Sequence, residues 1–392
     1  MKIYPEIFKA YDIRGLYPQQ VNNEIALQIG SALYKFLKKD KKRPPLIIVG
    51  RDNRISSNSL AKATKEGIKI QGGKVIDISL STTPMFYFGA TSFKADGGVM
   101  ITASHNPPEY NGFKLVREEA IPFSDVEIED IEEMILEGKI NSRQFHRAKR
   151  AQDKEIKKQI LNEYIEFNLA SLNESRISPL KIVVDTANAV CGTLIENLSE
   201  KLKKIEIHHL FPELNGKFPN HNPDPSVKEN LEFLQREVLR RSADFGVAFD
   251  GDGDRIIFID EAGKFIRGDL ITALLAEIIL RGREGEKILY EITSSKIIKE
   301  VIEENGGIPI ESRVGTSFIH EKMRKENLIF GGEISGHYYF RENNFSENPL
   351  FVLSKIIEEV SRQKNPLSKI NPPGERYVSS GVLNFKIKNK KD

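Results

Sequence analysis

Apolar residues recur along this chain at helical and strand periods in alternation. Ile25, Ile29, Leu33, Phe36 and Leu37 share one helical face, and the β-branched run from Leu46 to Val49 predicts a buried strand. A helix from about Ser59 to Ile70, closed by Gly72 and Gly73, and strands at Val75 to Ile78 and Gly98 to Thr102 extend this into βαβ units. The same grammar restarts after a charged helix expected from about Ile156 to Leu169. A second unit opens with the strand Lys181 to Asp185, continues through a helix whose Ser226 and Glu229 have capping-box spacing, and reaches the strand Phe245 to Asp250. A third holds the helix Asp269 to Leu280, the strand Lys287 to Ile292, a helix stopped at Gly306 and Gly307, and the strand Leu328 to Phe330.

The fold class expected is α/β: three tandem domains with mixed sheets flanked by helices, over 1–150, 151–262 and 263–373. Asn371-Pro372-Pro373-Gly374 is the clearest linker, and 374–392 holds one further strand, Val378 to Ile387, with a lysine-rich tail. The 392 residues suit several domains, and 39% hydrophobic with 29% charged residues excludes a disordered or coiled-coil chain. Lys and Arg number 58 against 56 Asp and Glu, so a charge of +2 creates no general field for nucleic acid or an anionic membrane. Two lysine-rich stretches, Lys38 to Arg43 and the tail KIKNKKD, are local exceptions, and no nucleic-acid partner is expected. The single Cys191 and an N-terminus without an apolar core lead us to expect the cytoplasm. The greasiest stretch, Leu270 to Leu280, contains Glu277 and falls short of the ~20 residues a membrane span needs, so no membrane partner is expected.

Each unit places a run of unusual polar residues directly after a predicted strand. These are Ser104-His105-Asn106-Pro107-Pro108, Asp250 to Arg255, and Gly332 to His337. Ligands of α/β sheets bind at the carboxyl ends of strands, so three such loops suggest one shared cleft. Asp250, Asp252 and Asp254 alternate with Gly251 and Gly253; three carboxylates this close call for a cation, and oxygen donors favour magnesium or calcium. A calcium EF-hand would also use these three with Glu261, but it needs glycine where Arg255 stands and helices where strands are expected. A polar turn is the plain alternative. Ser104 can accept a phosphoryl group whose oxygens reach the same metal, and His105 and Lys114 follow it in what reads as one loop. Asn and Pro also make SHNPP an ordinary turn. Glu333, Ser335 and His337 suit sugar hydroxyls and proton transfer, although a capped turn has the same composition. Arg14 and Arg255 are permanently charged forks that match phosphate.

Taken together, FKAYDIRG (Phe8 to Gly15), TASHNPPEYNGFK (Thr102 to Lys114), VVDTANAVCG (Val183 to Gly192), GKFPNHNPDPSVKENL (Gly216 to Leu231), DGDGDR (Asp250 to Arg255) and GGEISGH (Gly331 to His337) resemble the α-D-phosphohexomutase superfamily, in its phosphomannomutase/phosphoglucomutase branch. The runs occur in order over nearly the whole chain. The resemblance implies an isomerase that interconverts hexose 1- and 6-phosphates of mannose or glucose through a phosphoserine, with a hexose 1,6-bisphosphate as intermediate and activator. Ser104 would carry the phosphate, and Asp250, Asp252 and Asp254 with Ser104 would hold Mg2+. Arg14, His105, Lys114 and Arg255 would surround the transferring group, with Lys114 and His337 as proton carriers. Glu333, Ser335 and His337, with Arg313, would contact substrate. AYDIRG and GEISGH favour phosphomannose and phosphoglucose over phosphoglucosamine, while Thr293 and Thr316 stand where the family often has basic residues. The family's fourth-domain phosphate clamp, of the type Arg-x-Ser-x-Thr-x-Pro, has no counterpart here. The resemblance therefore implies impaired turnover or sugar-phosphate binding alone, unless a separately encoded C-terminal domain, or self-association through the strand 378–387, completes the site.

Overall fold

The computed structural model describes residues 3–10, 12–39, 41–137, 155–170, 172, 174–370, 376 and 377. Its first sheet contains β1 (Ile13–Leu16), β2 (Leu46–Arg51), β3 (Lys74–Leu80), β4 (Gly97–Ile101), β5 (Tyr110–Arg117) and β6 (Glu155–Lys157), in the order β1-β5-β4-β2-β3-β6. The centre is parallel, while β5 runs antiparallel to both β4 and β1. Helices α1 (Asn23–Lys38), α2 (Ser57–Ile70), α3 (Thr83–Ser92) and α4 (Asp125–Leu136) accompany it. α1 starts where the Asn22 side chain accepts from the amides of Glu24 and Ile25, and it buries Ile25, Ile29, Leu33 and Leu37 along one stripe.

The second sheet, ordered β11-β10-β9-β7-β8, is built from β7 (Leu180–Asp185), β8 (Ile205–Leu210), β9 (Phe245–Phe249), β10 (Ile256–Asp260) and β11 (Phe265–Ile266), with helices α5 (Leu161–Leu169), α6 (Cys191–Lys201) and α7 (Lys228–Arg241) in the same stretch of chain. The third, ordered β13-β12-β14-β15-β16, is built from β12 (Lys287–Glu291), β13 (Ile308–Ser312), β14 (Phe330–Gly332), β15 (Tyr338–Phe340) and β16 (Ser346–Glu347), with α8 (Gly268–Leu280), α9 (Ile297–Glu304), α10 (Thr316–Glu326) and α11 (Pro349–Gln363). The three-unit α/β architecture agrees with the expectation.

One topological position recurs. β4, β9 and β14 each lie beside a parallel strand and are followed by an antiparallel one: β5, β10 and β15. The three polar loops are the links that make these reversals. A buried apolar cluster extends from Ile48 and Phe86 through Tyr164, Val184 and Leu275 to Ile356. The units therefore share a core, and each large apolar side chain so buried contributes about 1.5–3 kcal/mol.

Several expectations change. The helix from Ile156 to Leu169 is instead the strand β6, which pairs with β3 and carries the first sheet past position 150, followed by the shorter α5. Ser226 does not cap α7: its amide and hydroxyl both bond Asp224 Oδ1, and α7 begins at Lys228. An acceptor two residues away outcompeted the helix end. The last strand of the third unit's parallel core starts at Phe330 rather than Leu328. The strand expected at 378–387 lies outside the described residues. Among the described residues no helix is long and apolar enough to cross a membrane.

Candidate active site

Ser104 leaves β4 in a left-handed conformation, φ 50°, a region costly for any residue with a Cβ. Its amide donates to Thr102 Oγ1 (2.9 Å), and its buried hydroxyl donates to Asp250 Oδ2 (2.8 Å) with His105 Nδ1 3.1 Å away. Burial and the nearby Arg255 lower the His105 pKa to about 4, so its imidazole is neutral near pH 7. Arg14 reaches the same loop from β1, donating to Asn106 Oδ1 (2.6 Å) and to Asp12 Oδ2 (2.5 Å).

The aspartates are fully inside. Asp250, Asp252 and Asp254 are 0%, 0% and 3% exposed, and one carboxylate oxygen from each lies within 4.8 Å of the others. Gly251 and Gly253 make the turn possible: a Cβ on the first would sit 2.3 Å from the Ser104 carbonyl, and Gly253 has φ 71° with Cys191 Sγ 2.4 Å from its missing Cβ. Asp250 Oδ1 accepts from the amides of Asp254 and Arg255, which fixes its other oxygen toward Ser104. Burial and the other two carboxylates push the Asp250 pKa well up. Burial alone would do the same to Asp254, but Lys114 and His337 hold it well below the usual range.

Lys114 is not in a loop with Ser104, as the spacing suggested; it lies on β5, opposite Met100 of β4. From there Nζ bridges Asp252 Oδ2 (2.7 Å) and Asp254 Oδ2 (2.5 Å), and despite burial these anions raise its pKa well above 10.5. On the third unit, His337 places Nε2 3.2 Å from Asp254 Oδ1 and Nδ1 3.1 Å from Glu333 Oε2 and 2.8 Å from Ser335 Oγ. Burial opposes its protonation, but Asp254 and Glu333 raise its pKa to about 10. Arg255 Nε lies 3.2 Å from the same ring. Lys114 and His337 thus both carry protons at neutral pH.

The residues fit a hard divalent cation. Three buried carboxylates supply only oxygen donors, and Asp252 Oδ1 has no hydrogen-bond partner, an arrangement expensive to bury without a cation. Arg14, Ser104, His105, Lys114, Asp254, Arg255 and His337 line one cavity at the junction of the three units. Glu333 and Ser335 reach it through His337. Arg313 does not join them: it follows β13 and rests on the Phe318 ring, 3.0 Å from the ring centroid, in a separate depression. An arginine three residues before an α-helix has the reach for phosphate but here finds an aromatic face first.

Sequence reasoning missed the residues that support these. Thr83, at the start of α3, donates to Asp252 Oδ2 (2.5 Å), and Tyr339 donates to Glu333 Oε2 (2.7 Å). Glu291, at the end of β12, accepts the Ile334 amide (2.7 Å) and so fixes the GEISGH loop. Arg54 bonds the Ser104 loop from behind. Only the last had a local signal, the polar run Arg51-Asp52-Asn53-Arg54 directly after a buried strand.

Family models described as phosphoglucomutase/phosphomannomutase, alpha/beta/alpha domains I, II and III, match residues 5–142, 162–263 and 267–373. The chain is 38% identical over 387 residues to a phosphomannomutase of Methanocaldococcus jannaschii, covering 98% of this chain and 83% of that protein. It is 37% identical to a protein of Xanthomonas campestris pv. campestris named phosphohexose mutases, with 97% and 83% covered. In three dimensions it resembles the crystal structure of a phosphoglucomutase/phosphomannomutase family protein from Burkholderia thailandensis, with TM-score 0.86, 30% identity, and 94% of this chain and 80% of that one covered.

Proposed function

Since this chain belongs to the phosphoglucomutase/phosphomannomutase family of phosphohexomutases, we propose that it interconverts the 1- and 6-phosphates of mannose or glucose with Ser104 as the phosphoryl carrier. The observation that carries this reading is the convergence of three loops from three sheets. Ser104 Oγ lies 2.8 Å from Asp250 in the buried aspartate cluster, and Arg255 and His337 close over the same point.

Phosphoryl transfer needs alignment of the attacking and leaving oxygens and neutralisation of charge on the equatorial ones. Arg14 from β1, Lys114 from β5 and Arg255 from the loop after β9 supply positive charge to the same cavity. Asp250, Asp252 and Asp254, with Ser104 or its phosphate, would hold Mg2+, which when bound supplies Lewis-acid stabilisation of the phosphate oxygens. A substrate hydroxyl attacks phosphorus, its bond to phosphorus forms as the bond from Ser104 Oγ breaks, and the resulting hexose 1,6-bisphosphate turns over before its other phosphate returns to Ser104. The departing Ser104 Oγ takes up one proton as the hydroxyl gives up its own, so the proton carrier emptied by the first is refilled by the second and no net proton is gained or lost. Lys114 and His337 hold protons for the departing oxygen, and whichever gives one up becomes the base for the reverse step. Glu333 and Ser335 offer an acceptor and a hydroxyl to the sugar ring.

A sugar-phosphate binder without turnover would share these loops. The chain, magnesium and a catalytic amount of glucose 1,6-bisphosphate are incubated with mannose 1-phosphate or glucose 1-phosphate and followed by phosphorus NMR. Appearance of the corresponding 6-phosphate supports the mutase; binding of the sugar phosphate with no product supports the binder.

A further inference from the structure

Behind the Ser104 loop, and outside the lining of the cleft, sits a buried arginine. Arg54 is 2% exposed and takes Asp52 as its counter-ion, with Nε 3.1 Å from Oδ2. Asp52 is held in turn by the Arg54 amide and the Ser57 hydroxyl. The two terminal nitrogens of the guanidinium are spent on carbonyls of the Ser104 loop and of the first residue of β5: Nη2 donates to Ser104 O (2.7 Å) and Asn106 O (2.6 Å), Nη1 to Pro107 O (2.7 Å) and Tyr110 O (3.1 Å). Phe218, from the second unit, packs with its ring centroid 5.1 Å from the guanidinium carbon.

The loop has a physical need for such a group. The carbonyls of Ser104 and Asn106 lie outside any strand and take their bonds from this guanidinium, which spares them the cost of unpaired buried acceptors, and Ser104 occupies the left-handed region that its Cβ disfavours. A planar cation with divergent donors can gather all four oxygens; a lysine, with one nitrogen, cannot reproduce that fork.

We propose that Arg54 is a positioning residue for phosphoryl transfer: by drawing the carbonyls of Ser104, Asn106, Pro107 and Tyr110 onto one guanidinium, it fixes Ser104 in its left-handed conformation and presents Oγ to the aspartate cluster. This rests on the reading of Ser104 as phosphoryl acceptor. Arg54 acts from outside the cleft and touches no substrate, so its removal should slow the acceptance of phosphate without changing how the sugar phosphate is held.

Arg54→Lys keeps the charge beside Asp52 and loses the fork. In a single turnover from glucose 1,6-bisphosphate, followed by intact mass, phosphorylation of Ser104 is expected to slow about a hundredfold, the size of effect that an ångström of misplacement brings. The KM for the sugar phosphate is expected to stay within about threefold of the unmodified chain, because ground-state binding is untouched. A crystal structure of the variant should show Ser104 outside the left-handed region and its Oγ away from Asp250. The double variant Asp52→Asn/Arg54→Gln, which leaves no unpaired buried charge, should show the same losses and stands in if Arg54→Lys does not fold. A folded variant that keeps the present Ser104 conformation, or is phosphorylated within about threefold of the normal rate, would overturn the proposal. Failure of both variants to fold would also count against it, making Arg54 a requirement of the fold rather than of the site. If the unmodified chain takes no phosphate, the reading of Ser104 fails, and the Ser104 conformation in the variant crystals decides on Arg54 by itself.

Discussion

On the phosphoryl side of the cleft, Ser104 is fixed through the main chain. Its amide bonds Thr102, its carbonyl bonds Arg54, and the neighbouring carbonyls of Asn106, Pro107 and Tyr110 are held by the same guanidinium. On the sugar side the loop also has main-chain bonds, from the Ile334 amide to Glu291, the Glu333 amide to the His337 carbonyl, the Gly336 amide to the Glu333 carbonyl and the Ile256 amide to the Gly336 carbonyl, but there the working side chains hold one another as well. Tyr339 donates to Glu333, while His337 lies between Glu333, Ser335 and Asp254. Main-chain bonds fix a nucleophile in one geometry, whereas side-chain bonds can be exchanged for substrate hydroxyls at small net cost. A mutase needs both, because the sugar must be gripped in two orientations while the serine stays still.

The largest effect is expected at Ser104, the proposed phosphoryl carrier. Ser104→Ala removes the oxygen proposed to carry phosphate, and mutase activity is expected to fall by about four powers of ten, as removal of a covalent nucleophile does. Steady-state assay with mannose 1-phosphate reads it. Next in size is Asp252→Asn, which takes away one carboxylate and an anionic partner of Lys114. Calorimetry is expected to show magnesium affinity reduced by more than about a hundredfold, since even groups behind a metal ligand cost ten- to a hundredfold. Unchanged affinity would remove the aspartates as the metal site.

The sugar side should respond more gently. Tyr339→Phe deletes the hydroxyl that donates to the buried Glu333 carboxylate, a bond worth about 1.5–3 kcal/mol because one partner is charged. The loss is expected in KM, with kcat nearly kept, and equal losses in both would place Tyr339 on the phosphoryl side instead.

The smallest effect belongs to the loop behind the aspartates, where the Pro223 carbonyl accepts the Gly251 amide. His221 ties that loop to Asp185, with Nε2 3.1 Å from Oδ2. Burial alone would lower the pKa of His221, but the Asp185 carboxylate raises it above 6.5. A raised histidine binds its proton more tightly folded than unfolded. Its contribution to stability is therefore complete below about pH 6.5, its unfolded value, and is lost as pH rises through the higher folded value. Thermal unfolding of His221→Gln should lack this part of the pH dependence, and an identical pH profile in variant and unmodified chain would show that the ion pair contributes nothing.

The three-unit architecture was legible because βαβ periodicity is local, and the three polar loops stood out because each interrupts a strongly apolar run. Ser104, the three aspartates, Arg14, Arg255, His105, Glu333, Ser335 and His337 are gathered around one cleft, directly or through one another. What was hidden depends on pairing across the sheet. Lys114 reads as a loop residue until β5 folds back on β4, and β6 reads as a helix because its few residues carry no period of their own. Thr83, Tyr339 and Glu291 act on groups 6 to 169 positions away in sequence with no polar run to mark them, and only Arg54 stands in one. Arg313 fails for the opposite reason: its chemistry suits phosphate, but its nearest ring is only five residues on.

In the proposed reaction Ser104 Oγ carries the phosphate between the aspartate cluster and the sugar. The most direct measurement is to treat the chain with glucose 1,6-bisphosphate and magnesium, digest it, and map the added phosphate, ~80 Da, by tandem mass spectrometry. One modified site is expected, at Ser104, whose phosphate is lost when glucose 6-phosphate is added in excess. Phosphate on another residue, or product formed at the normal rate by a chain in which Ser104 is alanine, would contradict it.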